Sequence, residues 1–177
     1  VDAALLLTRV AAWTGVGLAG LSLGFTRVRW HREDAATRAK ATVDFWISTM
    51  DVRFRLRGAL PYEHATEFRA LANRLAAAYV ENGGQPELPG PDAEQDNLLR
   101  QYLSLFESLG AGVNKGTFDF DVIGRIDGPR IVALWRATGA YVTARREAFG
   151  NPYMYQEFTE FAARLDTEQP WRHGSGV

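Results

Sequence analysis

Three carboxylates within nine residues, Asp119, Asp121 and Asp127, have the spacing for acid–base work or for holding a metal. The D-x-D-x-D-G order of a calcium loop is missing. Asp119 and Asp127 each precede a helical stretch, where a carboxylate caps free N–H groups, so capping is the reading adopted. Arg145 and Arg146 close another helical stretch. Cations are favoured there by the helix dipole, and the pair is also the candidate anion or partner contact. Ser104, Ser108 and the histidines His31, His64 and His173 share no motif for nucleophilic catalysis. Cysteine is absent, which excludes disulfides and thiolate metal sites. No catalytic residue, cofactor or metal ligand is assigned, and no cofactor or metal is expected.

One further pattern suggests chemistry. Gly15, Gly17 and Gly20, in GVGLAG, fit the dinucleotide pattern G-x-G-x-x-G. That loop needs a strand before it and an amphipathic helix after it, and neither is legible. The glycines instead interrupt an apolar run, Ala3 to Phe25, whose one internal charge is Arg9. Twenty-three residues suffice to cross a bilayer as a helix, which takes about 20. The basic cluster Arg27, Arg29 and Arg32 follows directly. By the positive-inside rule that end is cytoplasmic and the N-terminus lies outside. A signal peptide would carry its positive charge first and a small-x-small cleavage site after the apolar core, and this stretch does neither. Ala11, Gly15 and Ala19 fall four apart, and Gly20 and Gly24 form a G-x-x-x-G. Small residues at that spacing let a membrane helix pack closely on a partner helix.

The elements after the span read as helices. No breaker stands between Arg27 and Met50, so the span is expected to continue as a helical stalk to about Thr49, with Trp30, Ala41, Phe45 and Trp46 as apolar anchor points. A short helix over 51–60 spreads Arg53, Arg55 and Arg57 around its circumference. That reads as a solvated or lipid-facing surface, and with a formal net charge of −1 the chain is not expected to bind nucleic acid. Phe68, Leu71, Leu75 and Tyr79 predict an amphipathic helix over 62–81, stopped by Asn82-Gly83-Gly84. A Gly- and Pro-rich loop, GGQPELPGP, leads to a capping box of Asp92 and Gln95. Leu98, Leu99, Tyr102, Leu105, Phe106, Leu109 and Val113 then form a core stripe. Phe120 to Arg125 is expected as a short helix. Asp127-Gly128-Pro129 is expected to cap and start the next one, to about Phe149. Trp135 and Trp46 are expected in the core. Tyr155, Phe158, Phe161, Ala162 and Leu165 line a last helix, and the tail is expected to be loose.

The chain resembles a bacterial family catalogued as domain of unknown function 4760. The resemblance rests on NLLRQYLSLFESLGAGVNKGTFDFDVI (97–123), on Arg130, Trp135, Tyr141, Arg145 and Arg146, on NPYMYQEFTEF (151–161), and on the stalk RAKATVDFWISTMDVRFRLR. It implies an N-terminal span, a basic helical stalk and a helical cytoplasmic domain. It implies no enzyme activity, cofactor or catalytic residue.

The fold class is therefore all-α: a transmembrane helix (1–26), a juxtamembrane stalk (27–60), a small cytoplasmic helical bundle (61–166) and a flexible tail (167–177). The expected location is the inner membrane, as a single pass. The expected function is a membrane-anchored interaction module without enzymatic activity, an accessory or assembly subunit of a larger membrane complex. Its partners would be a membrane protein, met through the span, and anionic lipid headgroups, met by the basic cluster. The alternative is a membrane-tethered enzyme or ligand sensor with a pocket between the cytoplasmic helices.

Overall fold

A computed structural model describes residues 33–63, 65–85 and 87–172. The chain divides into two units, Val1–Arg38 and Ala39–Val177. Among the described residues the protein is all-α, with six helices and one short 3-10 turn. The helices are α1 (33–48), α2 (Met50–Ala59), α3 (Thr66–Glu81), α4 (Pro91–Asn114), α5 (Phe120–Phe149) and α6 (Gln156–Glu168), followed by the turn Pro170–Arg172. No helix among them is long and apolar enough to cross a membrane. The expected span, its small residues Ala11, Gly15, Ala19, Gly20 and Gly24, and the cluster Arg27, Arg29 and Arg32 lie outside the described residues, as do the three histidines.

The bundle is built from the apolar stripes. Phe68, Leu71, Leu75 and Tyr79 of α3 are buried, as are Leu99, Tyr102, Phe106, Leu109 and Val113 of α4. Fully burying one such side chain stabilises the fold by about 1.5–3 kcal/mol. α5 packs against α3 and α6, and α4 packs against α6 and α2. Phe106 links two layers of this core, meeting Tyr102 edge-on at 5.2 Å and Phe158 of α6 at 5.9 Å. Leu98 and Leu105, at the edge of the α4 stripe, are only half-buried. Gly84, at φ 72°, closes the end of α3 by donating to the Tyr79 carbonyl at 2.9 Å. That left-handed backbone is the reason for glycine there.

Four local expectations are corrected. The helix expected from Tyr62 begins at Thr66; before it, Ala65 N–H donates to the Tyr62 carbonyl at 2.8 Å. Gly90, not Asp92, is the N-cap of α4, with Pro91 in the first turn. Asp92 and Gln95 instead both engage Arg74 of α3, Asp92 at 3.4 Å. The break expected at Asp127-Gly128-Pro129 does not occur, and α5 runs through Pro129 for 30 residues. Proline forfeits one backbone hydrogen bond there, about 3 kcal/mol in a helix interior. Burial of Ile123, Ile131 and Leu134 on both sides outweighs it. Finally, the described part of the expected loose tail is held: Pro170 and Trp171 pack on Gly124 and Gly128, where a β-carbon would collide with their rings.

Glycine has a second packing use at Gly110. A β-carbon there would lie 2.5 Å from the Glu157 carbonyl oxygen, so its absence lets α4 abut the start of α6. Glu107, one turn earlier, accepts from Phe158 N–H at 2.8 Å and so caps α6 from outside. Burial raises the Glu107 carboxyl above its ordinary pKa despite that bond.

Candidate functional site

Two clusters of buried charge occur in the second unit. The first lies between α3, α4 and α5 around Asp96, which is 2 % exposed. Tyr141 donates to Asp96 Oδ1 at 2.6 Å and Tyr79 does so at 2.9 Å. Arg145 donates to the Tyr79 hydroxyl at 2.6 Å and lies 3.3 Å from both Asp96 oxygens. Arg100 approaches Asp96 Oδ2 at 3.0 Å from the rim. Burial pushes the Tyr141 and Tyr79 hydroxyls well above the ordinary tyrosine range, so both stay protonated donors. Burial alone would lower Arg145, but Tyr141, Tyr155, Tyr79 and Asp96 together hold it above its ordinary value. The carboxylate, the two hydroxyls and Arg145 Nη1 thus bond to one another inside the bundle, while the buried Arg145 Nε has no hydrogen-bond partner among the described residues.

The second cluster lies where α1, α2, α4 and α5 meet. Two contacts help to fix α1 there: the Thr42 hydroxyl accepts from Asp119 N–H at 2.7 Å, and the Phe45 ring lies tilted against Phe118 at 5.0 Å. Trp46 then presents its ring to α2. The Arg53 guanidinium lies 3.4 Å from that ring's centroid, donates to the Trp46 carbonyl, and reaches the Thr49 hydroxyl at 3.3 Å. Arg53 is buried, and among the described residues no carboxylate lies within ion-pairing distance of it. Burial lowers its pKa and Arg130 lowers it further, against the opposing pull of Asp127. Glu63, in the turn before α3, has a side chain only 1 % exposed. It accepts a hydrogen bond from Tyr102 and lies 3.7 Å from Arg130 and 3.9 Å from Arg57. Its Oε2 carries no hydrogen bond among the described residues. Arg130 also pairs with Asp127 one turn earlier on α5. Burial raises the Asp127 carboxyl to about 7, against the opposing pull of Arg130 and Arg53.

Most of these groups, though not Glu63, line a cavity of about 150 Å³. Arg53, Arg57, Arg130, Asp127 and Tyr102 form its polar side, and Trp46, Met50, Phe54 and Ile126 its apolar side. Such a cavity can accept a small polar group against its arginines.

The sequence-based candidates are distributed otherwise than expected. Asp119 is a cap, accepting from Val122 N–H at 3.0 Å. Asp121 is exposed, and Asp127 lines the cavity rather than capping a helix. Arg145, suggested as an anion or partner contact, is buried beside Asp96 and, with Arg100 and Tyr155, also borders a second, more open hollow. Arg146 donates to the Met154 carbonyl at 2.9 Å and holds the turn before α6. Ser104 and Ser108 bond to carbonyls of their own helix. Of the three arginines in α2, Arg55 is exposed, while Arg53 is buried and Arg57 half-buried, so the solvated-surface reading holds for Arg55 alone. Trp46 and Trp135 are half-buried, and Trp46 serves as a platform for Arg53. Sequence reasoning gave no site role to Asp96, Glu63 or Arg130, the last of which entered only through the family resemblance. The spacings Arg53–Arg57 and Asp127–Arg130, four and three residues, were the only local signals.

A family model described as a domain of unknown function (DUF4760) matches residues 7–165. Searches of curated proteins and of solved structures return no match.

Proposed function

The chain belongs to the DUF4760 family, and from that premise we propose that it is a membrane-anchored interaction module without enzymatic activity, an accessory or assembly subunit of a larger membrane complex. Residues 3–25 would cross the inner membrane once, with Arg27, Arg29 and Arg32 at the cytoplasmic face and the stalk and bundle beyond them. Ala11, Gly15, Ala19, Gly20 and Gly24 would pack on a partner's membrane helix. The basic cluster would meet anionic headgroups, at about 1 kcal/mol per basic residue near the surface.

The observation that carries this reading is a stripe on α1 and α2. Val43, Ile47, Met50 and Phe54 are all exposed and follow one another at four, three and four residues. The i to i−4 bonding continues across Thr49, from Thr49 N–H to Phe45 (3.1 Å) and from Arg53 N–H to Thr49 (3.0 Å), so these residues share one helix face. The occupant we assign is an apolar helix of a membrane-protein subunit, because the stripe follows the small-residue span in the same chain.

The full chain, purified from native membranes in mild detergent, is expected to co-elute with a membrane protein in fixed ratio. Ile47→Asp is expected to release that partner without changing the helical circular dichroism. Elution alone as a monomer, or release of the protein by a carbonate wash of membranes, overturns the reading. The second reading, a membrane-tethered enzyme or ligand sensor, draws its support from the cavity.

A further inference from the structure

We propose that the cavity between α1, α2, α4 and α5 binds an anionic amphiphile: a small oxyanion head, phosphate or carboxylate, held by Arg53, Arg57 and Arg130, with an alkyl chain leaving over Phe54, Met50 and Ile126. This goes beyond the docking role: Met50 and Phe54 belong both to the stripe and to the cavity lining, whereas Val43 and Ile47 belong to the stripe alone and Arg53, Arg57 and Arg130 to the cavity alone.

The argument begins with charge. Three guanidiniums, Arg53, Arg57 and Arg130, face two carboxylates, Glu63 and Asp127, which leaves an excess of one positive charge. Both carboxylates already engage Arg130, and Arg53 has neither within ion-pairing distance. A buried guanidinium is costly without a counter-ion, and here an open cavity lies beside it. An entering anion supplies the missing charge. Guanidinium is suited to the task, because its planar fork matches two oxygens of a phosphate or carboxylate.

Size and surface then narrow the ligand. At roughly 30 Å³ of liquid volume per water molecule, 150 Å³ holds about five waters' worth of ligand. Pockets for drug-sized molecules begin near ~300 Å³, so a nucleotide is too large and an oxyanion head fits. The apolar lining is unusually exposed: Phe54 60 %, Ile126 45 %, Met50 39 %. A bare inorganic anion leaves those side chains in water, whereas an alkyl chain covers them.

The site also responds to pH. Asp127 faces Arg53 and Arg57 of α2, Glu63 of the turn, Tyr102 of α4 and Arg130 of its own helix. Protonating it raises the excess from one positive charge to two, so anion binding strengthens as pH falls through about 7.

The test uses the full chain in phosphatidylcholine nanodiscs, titrated calorimetrically with octyl phosphate, inorganic phosphate and octanol. Octyl phosphate is expected to bind saturably and more tightly than either of the others. Arg57→Gln and Phe54→Ser, both at accessible positions, are each expected to weaken it about tenfold. Phe54→Ser is expected to leave inorganic phosphate unaffected. Octane sulfonate, which does not titrate, is expected to bind more tightly at pH 6 than at pH 8, and Asp127→Asn to remove that difference. Adding phosphatidylglycerol to the discs identifies the source. Competition with octyl phosphate shows that a membrane lipid fills the site, and no competition shows a free amphiphile; both support the pocket. Ile47→Asp is expected to keep this binding, so loss of the partner and loss of the ligand are separable. If octyl phosphate binds no better than octanol, or if binding survives Arg57→Gln and Phe54→Ser undiminished, the proposal is overturned.

Discussion

The two clusters of buried charge teach by contrast. Around Asp96 a carboxylate, a guanidinium and two tyrosine hydroxyls bond to one another, although Arg145 Nε has no partner among the described residues and the arginine borders a hollow of its own. Around Arg53 three guanidiniums share two carboxylates, and a cavity opens beside the least compensated of them. Both clusters sit at junctions of several helices, and both use aromatic rings as platforms for arginine. The difference is closure of charge: Arg145 has its carboxylate at 3.3 Å, whereas no carboxylate among the described residues lies within ion-pairing distance of Arg53. A network closed in that sense fixes how α3, α4 and α5 meet, while an open one of unbalanced charge has capacity for something outside the fold.

The sharpest way to break this comparison is to remove the centre of the closed network. Asp96→Ala leaves Arg145 buried without its carboxylate and is expected to cost about 3–5 kcal/mol in chemical denaturation. A loss under 1 kcal/mol would mean that the network is not what joins these helices. Next in size is a pH effect confined to the open cluster. The Asp127 pKa is raised from 3.8 to about 7 by burial, so between those values the folded state holds a proton that the unfolded chain has released. The stability of the wild type is therefore expected to fall as pH rises from about 4 to about 7, by about 2–4 kcal/mol from this group, and to level off above that. Asp127→Asn removes the titrating group and is expected to flatten that part of the profile, as read by thermal melts across the range. The smallest expected effect is at Arg53. Arg53→Met loses its stacking on Trp46 but also removes an uncompensated buried charge, so its cost is expected to stay within about 1 kcal/mol. A loss as large as that of Asp96→Ala would make the two clusters alike and dissolve the contrast.

Much of the bundle was legible in the sequence, because helix faces and helix ends are local properties. The stripes Phe68–Tyr79 and Leu99–Val113 are buried as their periodicity requires, and Gly84 and Gly150 end helices in left-handed conformations. Pro129 misled because its cost is one local hydrogen bond, whereas the burial that overrides it comes from packing on α3 and α6. Arg145 misled for a related reason. Its place near a helix end suggested a surface cation, but which side of the helix it faces depends on Asp96, 49 residues away. The cavity was the least legible feature. Trp46, Arg53, Glu63, Tyr102 and Arg130 come from four helices and a turn, and no spacing in the chain announces that they meet.

The contrast is tested most directly by nitrogen NMR of the arginine side chains, on the full chain in phosphatidylcholine nanodiscs, as octyl phosphate is added. The Nε signals of Arg53, Arg57 and Arg130 are expected to shift together and saturate, while that of Arg145 stays in place. Signals that all remain still, or an Arg145 shift as large as the others, would contradict the account.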